Sequence, residues 1–367
     1  MFKQYKLKNY KFILVLFVVI LNVIGILLIG SAKPSVQSKQ IVGMIAGLSI
    51  MVILSLIDYN FIVKFAWLIY LFMLGTLLLV MFAGDDAGGA QRWFEIGGFR
   101  FQPSELAKIL IILFFAYFFM KHEEKINTPK VLIMSLILAG IPLALILKQP
   151  DLSTTIVTAL IFAALLFVAG LSYKIVVGVL AVSVPSAIIL FTLLIQDKLP
   201  FIKSYQVTRV MAWLYPDDYP ADAYQQQNSI MAIGSGQLWG KGLNNTDATS
   251  VKNGNFIPEP QTDFIFAVAG EELGFIGTVI IIILLLFITI ECILIARKAK
   301  DTAGKMICCG FAALVGFQSL VNIGVASGVL PNTGLPLPFV SYGLTSLLSL
   351  YIGVGLVLNV GLQPKKY

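Results

Sequence analysis

The sequence predicts an all-α polytopic membrane protein: ten transmembrane helices, both termini cytoplasmic, and one large extracellular loop between helices 7 and 8. Three observations carry that expectation. Of 367 residues, 58% are hydrophobic and only 12% charged, against about 25% charged in an ordinary soluble domain. The apolar residues fall into runs long enough to cross a bilayer, for which roughly 20 residues suffice. The basic residues lie mainly between these runs. The formal net charge of +7 therefore reflects topology, not the clustered basic face that nucleic-acid binding needs. The whole chain, 1–367, reads as a single membrane domain with 196–262 as a large outer loop within it.

In chain order, Lys3, Lys6, Lys8 and Lys11 precede an apolar run that reaches about Gly30. Its length of about 20 residues exceeds a signal-peptide core and matches a bilayer, so it reads as an uncleaved first span. Further spans are expected at roughly 40–57, 61–83, 104–120, 130–147, 152–170, 174–195, 264–296, 305–329 and 341–361. With the N-terminus inside, the cytoplasmic segments hold fifteen lysines and arginines and the short outer loops five, which fixes the orientation. The outer face then owns two loops, about 84–103 and 196–262. Trp213, Tyr215, Tyr219, Tyr224 and Trp239 in the longer loop suit packing at the membrane interface. Cys292, Cys308 and Cys309 offer neither zinc spacing nor a disulfide framework and are assigned to core packing. The single histidine, His122, falls in a polar loop.

Several polar constellations interrupt this greasy chain. In Gln102-Pro103-Ser104-Glu105-Leu106-Ala107-Lys108, Pro103 suits a first helical turn. Glu105 and Lys108 then share a face at i, i+3, as a structural ion pair or as the lining of an outward cavity. Lys148-Gln149-Pro150-Asp151 places both signs of charge in an outer turn. Arg92-Trp93-Phe94 lies among Gly88, Gly89, Gly97 and Gly98, and Arg92 and Arg100 have the fork geometry that holds phosphate, although a solvated loop arginine fits equally well. Residues 234–242, G-S-G-Q-L-W-G-K-G, suggest a phosphate-binding loop and fail the test. The spacing and the Ser or Thr after lysine are missing, which leaves a glycine-rich turn that includes Lys241. Residues 322–343 carry Pro331, Pro336 and Pro338 and end on Ser341-Tyr342-Gly343. Irregular backbone of this kind at membrane depth is tolerated only against protein or a wet cavity.

The stretch 257–277, I-P-E-P-Q-T-D-F-I-F-A-V-A-G-E-E-L-G-F-I-G, joins the longest polar segment to one of the longest apolar runs. Charge is expensive there without a partner or a task. Counting about twenty residues back from Arg297 and Lys298 places Glu271 and Glu272 near the outer interface, with Asp263 beyond them. At 100° per residue Asp263 and Glu272 point oppositely, so no carboxylate dyad is expected between them. Asp263 reads either as a cap at a helix start or, with Thr262 as the cap, as a carboxylate available for chemistry.

Taken together, R-W-F, F-Q-P-S-E-L-A-K, K-Q-P-D-L, N-S-I-M-A-I-G-S-G-Q-L-W-G-K-G, P-E-P-Q-T-D-F-I-F-A-V-A-G-E-E-L-G-F-I-G and L-P-N-T-G-L-P-L-P-F-V-S-Y-G resemble, in content and order, the SEDS family (RodA/FtsW/SpoVE). The short N-terminus and L-P-F-V-S-Y-G are most like RodA. Two stretches depart from the family pattern: Leu344-Thr345-Ser346 after Ser341-Tyr-Gly, and Ala223-Tyr224-Gln225.

The resemblance implies a ten-helix peptidoglycan glycosyltransferase of the bacterial cytoplasmic membrane that polymerises lipid II at the outer face. It further implies a class B penicillin-binding protein transpeptidase as partner, with membrane lipid and without nucleic acid. The family's essential aspartate falls on Asp263 and its Glu–Lys pair on Glu105 and Lys108. Arg92, Lys148, Asp151, Arg209, Lys241 and Ser341 complete the expected cavity. In such a reaction a carboxylate at the wet–apolar boundary serves as general base. The leaving diphosphate needs cations: Lys108, Arg92, Arg209 or Lys241, or a divalent metal such as magnesium or manganese. A lipid II flippase and a catalytically silent scaffold for a cell-wall synthase are the rival readings.

Overall fold

The computed structural model describes the chain except residues 1–8, 88–89, 97–98, 196–203, 246–249, 251–253, 255 and 365–367. It is a helical bundle. The helices are α1 (Phe12–Ala32), α2 (Pro34–Leu56), α3 (Tyr59–Lys64), α4 (Ala66–Ala83), α5 (Pro103–Lys121), α6 (Pro129–Lys148), α7 (Leu152–Val168), α8 (Tyr173–Ile195), α9 (Ser204–Leu214), α10 (Pro220–Ser235), α11 (Ile265–Arg297), α12 (Thr302–Ala326) and α13 (Leu344–Leu362). Proline opens α2, α5, α6 and α10, where its missing N–H leaves no helical bond unmade.

Among the described residues, eight helices are long and apolar enough to cross a membrane, and Leu152–Val168 and Tyr173–Ser183 are shorter apolar helices. Each of them overlaps one of the ten runs expected from the sequence, and eight are of spanning length among the described residues. The share of each span buried inside the protein ranks them: 78% for α5 and 83% for α13, but 28% for α2, α4 and α6. Thus α5 and α13 form the axis, and the others turn residues such as Leu68, Phe72, Leu79, Ile133 and Ile137 outward. Lipid is as apolar as leucine, so close approach of small residues must hold such helices together. The α2–α13 seam shows it. A Cβ on Gly47 would stand 2.1 Å from the Tyr351 ring, and one on Gly355 would stand 2.8 Å from the Met51 carbonyl.

Three local expectations are corrected. The span expected at 61–83 is two helices, because Asp58 caps α3 by accepting from Asn60 N at 2.9 Å and the chain leaves helical geometry at Phe65. The smaller outer loop carries an antiparallel sheet, β1 (Asp85–Ala87), β2 (Ala90–Ile96) and β3 (Phe99–Phe101), with Phe94 opposite Phe101 and Glu95 opposite Arg100. The chain is therefore mostly, not purely, helical. Finally, the long segment 196–262 includes α9 and α10.

The connections sort into two sets at opposite ends of the bundle. Asn127 Nδ2 donates to Gly170 O, Thr302 Oγ1 to Glu123 and Tyr59 Oη to Asp301, and Lys11 reaches Glu291 at 3.7 Å. These are the segments that charge bias assigns to the cytoplasm. At the other end Gln102 Nε2 donates to Asp151, Ser153 Oγ to the Thr333 carbonyl, Tyr342 N to Gln261 O and Lys33 to Glu259.

Candidate active site

The site is built around the irregular segment 327–343 between α12 and α13. Among the described residues, eight of its carbonyls accept hydrogen bonds from side chains of surrounding helices, two of them, Gly328 and Asn332, from Trp213 and Arg209 of α9. Gln226 of α10 donates to Leu330 at 2.7 Å, Ser153 of α7 to Thr333, Asn322 and Gln318 of α12 to Leu335 at 2.6 Å and Pro336 at 2.9 Å. Asn22 of α1 donates to Phe339 at 2.8 Å, and Gln40 of α2 to Ser341 at 3.3 Å. Amide and hydroxyl donors thus replace the helical ladder, which is what irregular backbone at membrane depth requires.

Asp263 faces this segment. A Cβ on Gly334, whose φ is +75°, would stand 3.3 Å from Asp263 Oδ2. The Asp263 carbonyl accepts from Asn322 Nδ2 at 2.8 Å. Asp263 is not the cap of α11: that position is Phe264, with no side-chain hydrogen bond, and Thr262 Oγ1 donates to Glu259 O. No hydrogen bond from a described residue reaches the Asp263 carboxylate. Burial pushes its pKa up to about 6, the Arg209 guanidinium pulls the other way, and Asp151, Glu259 and Glu105 add to the rise.

The other expected residues divide into those that meet near this carboxylate and those committed elsewhere. Glu105 and Lys108 form the expected pair at 2.7 Å, buried on both sides, and Lys108 also donates to Gln318 Oε1 at 2.7 Å. Since Gln318 holds Pro336 and Asn322 holds both Leu335 and Asp263, one polar chain connects the pair to the site. Asp151 caps α7 at Thr154 N, 3.1 Å, and accepts from Gln102 Nε2 at 3.2 Å. Arg92 Nε donates to Gln149 O at 2.7 Å and another of its nitrogens to Pro150 O, so its guanidinium braces the α6–α7 turn. Ser341 Oγ accepts from Leu337 N at 2.7 Å and closes a turn. Arg209 donates to Asn332 O at 3.5 Å, and Lys148 ends α6 with an exposed side chain. Thr345, one of the departures, donates to Arg100 O at 3.0 Å and accepts from Gln102 N at 3.3 Å, tying α13 to the start of α5.

Lys241 belongs to another cluster. It pairs with Glu271 at 2.8 Å, and Glu272 accepts from Ser31 of α1. Because Asp263 precedes α11, whose cap is Phe264, an angle counted along one ideal helix does not describe these carboxylates; the helix itself breaks beyond them, at Gly274 (φ 66°, ψ −167°). Their separation comes instead from partners on different elements. Sequence reasoning missed Gln318, Asn22 and Gln40 altogether. Gln318 and Asn322 lie four apart on α12, and an amide pair at helical spacing inside an apolar run is the signal that would have found them.

A helical bundle with eight apolar helices of membrane-spanning length, a buried ion pair and a carboxylate beside irregular backbone has the build of an integral-membrane protein. The FtsW/RodA/SpoVE family model, described as "Cell cycle protein", matches residues 6–366, and the chain belongs to that family. The probable peptidoglycan glycosyltransferase FtsW of Geobacter sp. (strain M18) is 33% identical over 383 residues, covering 98% of this chain and 99% of that protein. The peptidoglycan glycosyltransferase MrdB of Escherichia coli (strain K12) is 39% identical over 329 residues, covering 88% and 85%. Among solved structures, a chain of a peptidoglycan synthase complex, studied for the coordination of polymerization and crosslinking, has a TM-score of 0.77 at 30% identity, covering 96% of this chain and 97% of that one. The rod shape determining protein RodA of Thermus thermophilus has a TM-score of 0.69 at 28% identity, covering 96% of each.

Proposed function

We propose that this peptidoglycan glycosyltransferase polymerises lipid II into glycan strands at the outer face of the cytoplasmic membrane, with Asp263 as general base, for cell elongation and shape. The observation that carries the reading is the placement of the half-buried Asp263 carboxylate against Gly334 of the irregular segment, with its carbonyl held by Asn322; in that setting its pKa is pushed up to about 6. Such a group is ionised at neutral pH and more basic than an ordinary aspartate, which suits proton abstraction. Asp263 takes the proton of the acceptor sugar hydroxyl as its oxygen bonds to the anomeric carbon of the donor. The bond from that carbon to the diphosphate breaks, and the lipid diphosphate leaves with the electron pair. Lys108 is held by Glu105 and Gln318, Lys241 by Glu271, and Arg92 by carbonyls of the α6–α7 turn; Arg209, whose charge acts on the Asp263 carboxylate, is the cation assigned to the departing diphosphate.

Among the described residues no group of three or more His, Cys, Asp or Glu gathers as a metal site. Magnesium is ordinarily held by one or two carboxylates together with substrate phosphates, so a divalent cation at the diphosphate needs no such cluster and stays part of the proposal. A class B penicillin-binding protein is the proposed partner, supported by the likeness to a chain of a synthase complex. The higher identity to MrdB supports the elongation role, and rescue of a strain lacking the MrdB-type enzyme, rather than the FtsW-type, tests it. The flippase reading draws on the buried Glu105–Lys108 pair, since intramembrane charges and broken helices also suit transport. Purified protein in detergent, given lipid II, separates the two. Polymer on a gel is expected; lipid scrambling across vesicles with no polymer would establish the transporter instead.

A further inference from the structure

The glycine-rich stretch 234–242 resembles a phosphate loop without being one, and the structure gives it a different task. At Gly274 helix α11 breaks, which strands backbone groups inside an apolar run. The turn 236–242 fills the break. Phe275 N donates to Gln237 O at 2.8 Å and Ile276 N to Leu238 O at 3.2 Å, while Lys241 N donates to Glu271 O at 2.9 Å and Gly242 N to Glu272 O at 3.0 Å. The glycines permit the approach. A Cβ on Gly236 would stand 1.9 Å from Gly270 O, one on Gly240 would stand 2.2 Å from Glu272 O, and one on Gly274 would stand 2.3 Å from Gly240 N. The Lys241–Glu271 ion pair closes the joint at 2.8 Å, with Glu271 almost fully buried.

The joint has a fixed reference. Helix α10, which leads into the turn, is anchored on the end of α12: Gln226 donates to Val325 and Leu330, and Ser229 to Ala326. Residues 265–273 are thus pinned at one end by the turn and at the other by Asn322, which holds the Asp263 carbonyl. Glu271 lies eight residues along from Asp263, roughly 12 Å at the helical rise, so Lys241 works at a distance from the reacting atoms.

We propose that Lys241 and the turn 236–242 form a positioning clamp that seats residues 265–273, and with them Asp263, so that Lys241 serves the reaction through Glu271 rather than by touching the diphosphate. The proposal rests on Asp263 being the general base. Arg209 from α9, Asp151 from α7, Glu105 from α5 and Glu259 from its own approach segment act on the Asp263 carboxylate through their charges. Neither Lys241 nor Glu271 is among them. Loosening the clamp admits water to the carboxylate and weakens the burial that makes it basic.

The test is the pH dependence of lipid II polymerisation by the purified full-length protein between about pH 5 and 8. Lys241→Met should lower the maximal rate by about tenfold to a hundredfold, the scale of a small misplacement. The KM should stay within about twofold, and the acid limb should move to lower pH. Lys241→Arg, and the exchange of Lys241→Glu with Glu271→Lys, should restore both. Uniformly reduced activity with an unmoved limb means a stability role alone and overturns the proposal. A KM raised tenfold or more and not restored by the exchange means direct diphosphate binding and overturns it too. If Lys241→Met does not purify folded, Glu271→Gln carries the same comparison. Wild-type activity in Asp263→Asn defeats the base assignment itself, a result distinct from either outcome at Lys241.

Discussion

The two ends of this bundle treat buried polar groups differently. At the inner end, Tyr59 donates to Asp301 at 2.9 Å, Asp301 caps α12 at Gly304 N, 2.8 Å, and Asn359 accepts from Tyr59 N while donating to Ser55 O. Gln363 adds bonds to Asp58 and Asn359, and of this network only its Oε1 lacks a partner among the described residues. On the elements that meet near Asp263, by contrast, Ser104 Oγ, Gln261 Oε1, Ser319 Oγ, Asn322 Oδ1 and Thr333 Oγ1 are buried with no hydrogen-bond partner among the described residues. Each such group costs about 1–3 kcal/mol. A fold bears that cost where its polar atoms are shaped for something beyond itself. The inner end is a lock, and the outer end is a receptacle.

Mutations at matched positions should separate these roles. The largest effect is expected from Asp263→Asn, which should slow polymerisation by about a hundredfold to ten-thousandfold, the range for loss of a general base, while leaving the protein folded. Tyr59→Phe should leave the rate nearly unchanged and cost about 1.5–3 kcal/mol of stability, because its bond is to a charged partner; thermal melting beside a gel assay reads both. Next in size is Lys108→Met, which strands Glu105 in the core and should cost about 3–5 kcal/mol. Adding Glu105→Gln should recover much of that stability but not the activity. If the double variant polymerises at the wild-type rate, the pair is structural, like the inner lock.

A smaller effect concerns Asp263 and stability. Its folded pKa, about 6, lies above the ordinary carboxylate value of 3.8, so the folded state favours its protonated form. Stability is full below the ordinary value and falls as pH rises through 6. Asp263→Asn should therefore be more stable than wild type above pH 6, by on the order of 2–3 kcal/mol, with the gain vanishing near pH 4. A pH-independent difference would show that burial does not set this carboxylate's behaviour.

What the sequence made legible follows from range. The apolar runs and the Glu105–Lys108 pair depend on spacings of one bilayer or one turn, and helices and ion pair lie on them, save that the run at 61–83 divides in two. Asp263 stood out because charge at the edge of an apolar run is locally conspicuous. The break at Gly274 was hidden, since one glycine in an apolar helix reads as tolerated, and its cause, the turn 236–242, lies more than thirty residues away. The partners of Lys241 and Arg92 were hidden for the same reason: both arginine and lysine looked like phosphate ligands until their distant carbonyl and carboxylate partners were in place. The strands β1 and β3, three residues each, are too short for alternation to register.

In the proposed reaction, ionisation of Asp263 governs the rate. This is tested most directly by the pH–rate profile of lipid II polymerisation for wild type and Asp263→Asn side by side. The wild-type rate should fall below a pH of about 6, and the residual Asp263→Asn activity should be flat through the same range. The same acid limb in both proteins, or equal rates, would contradict it.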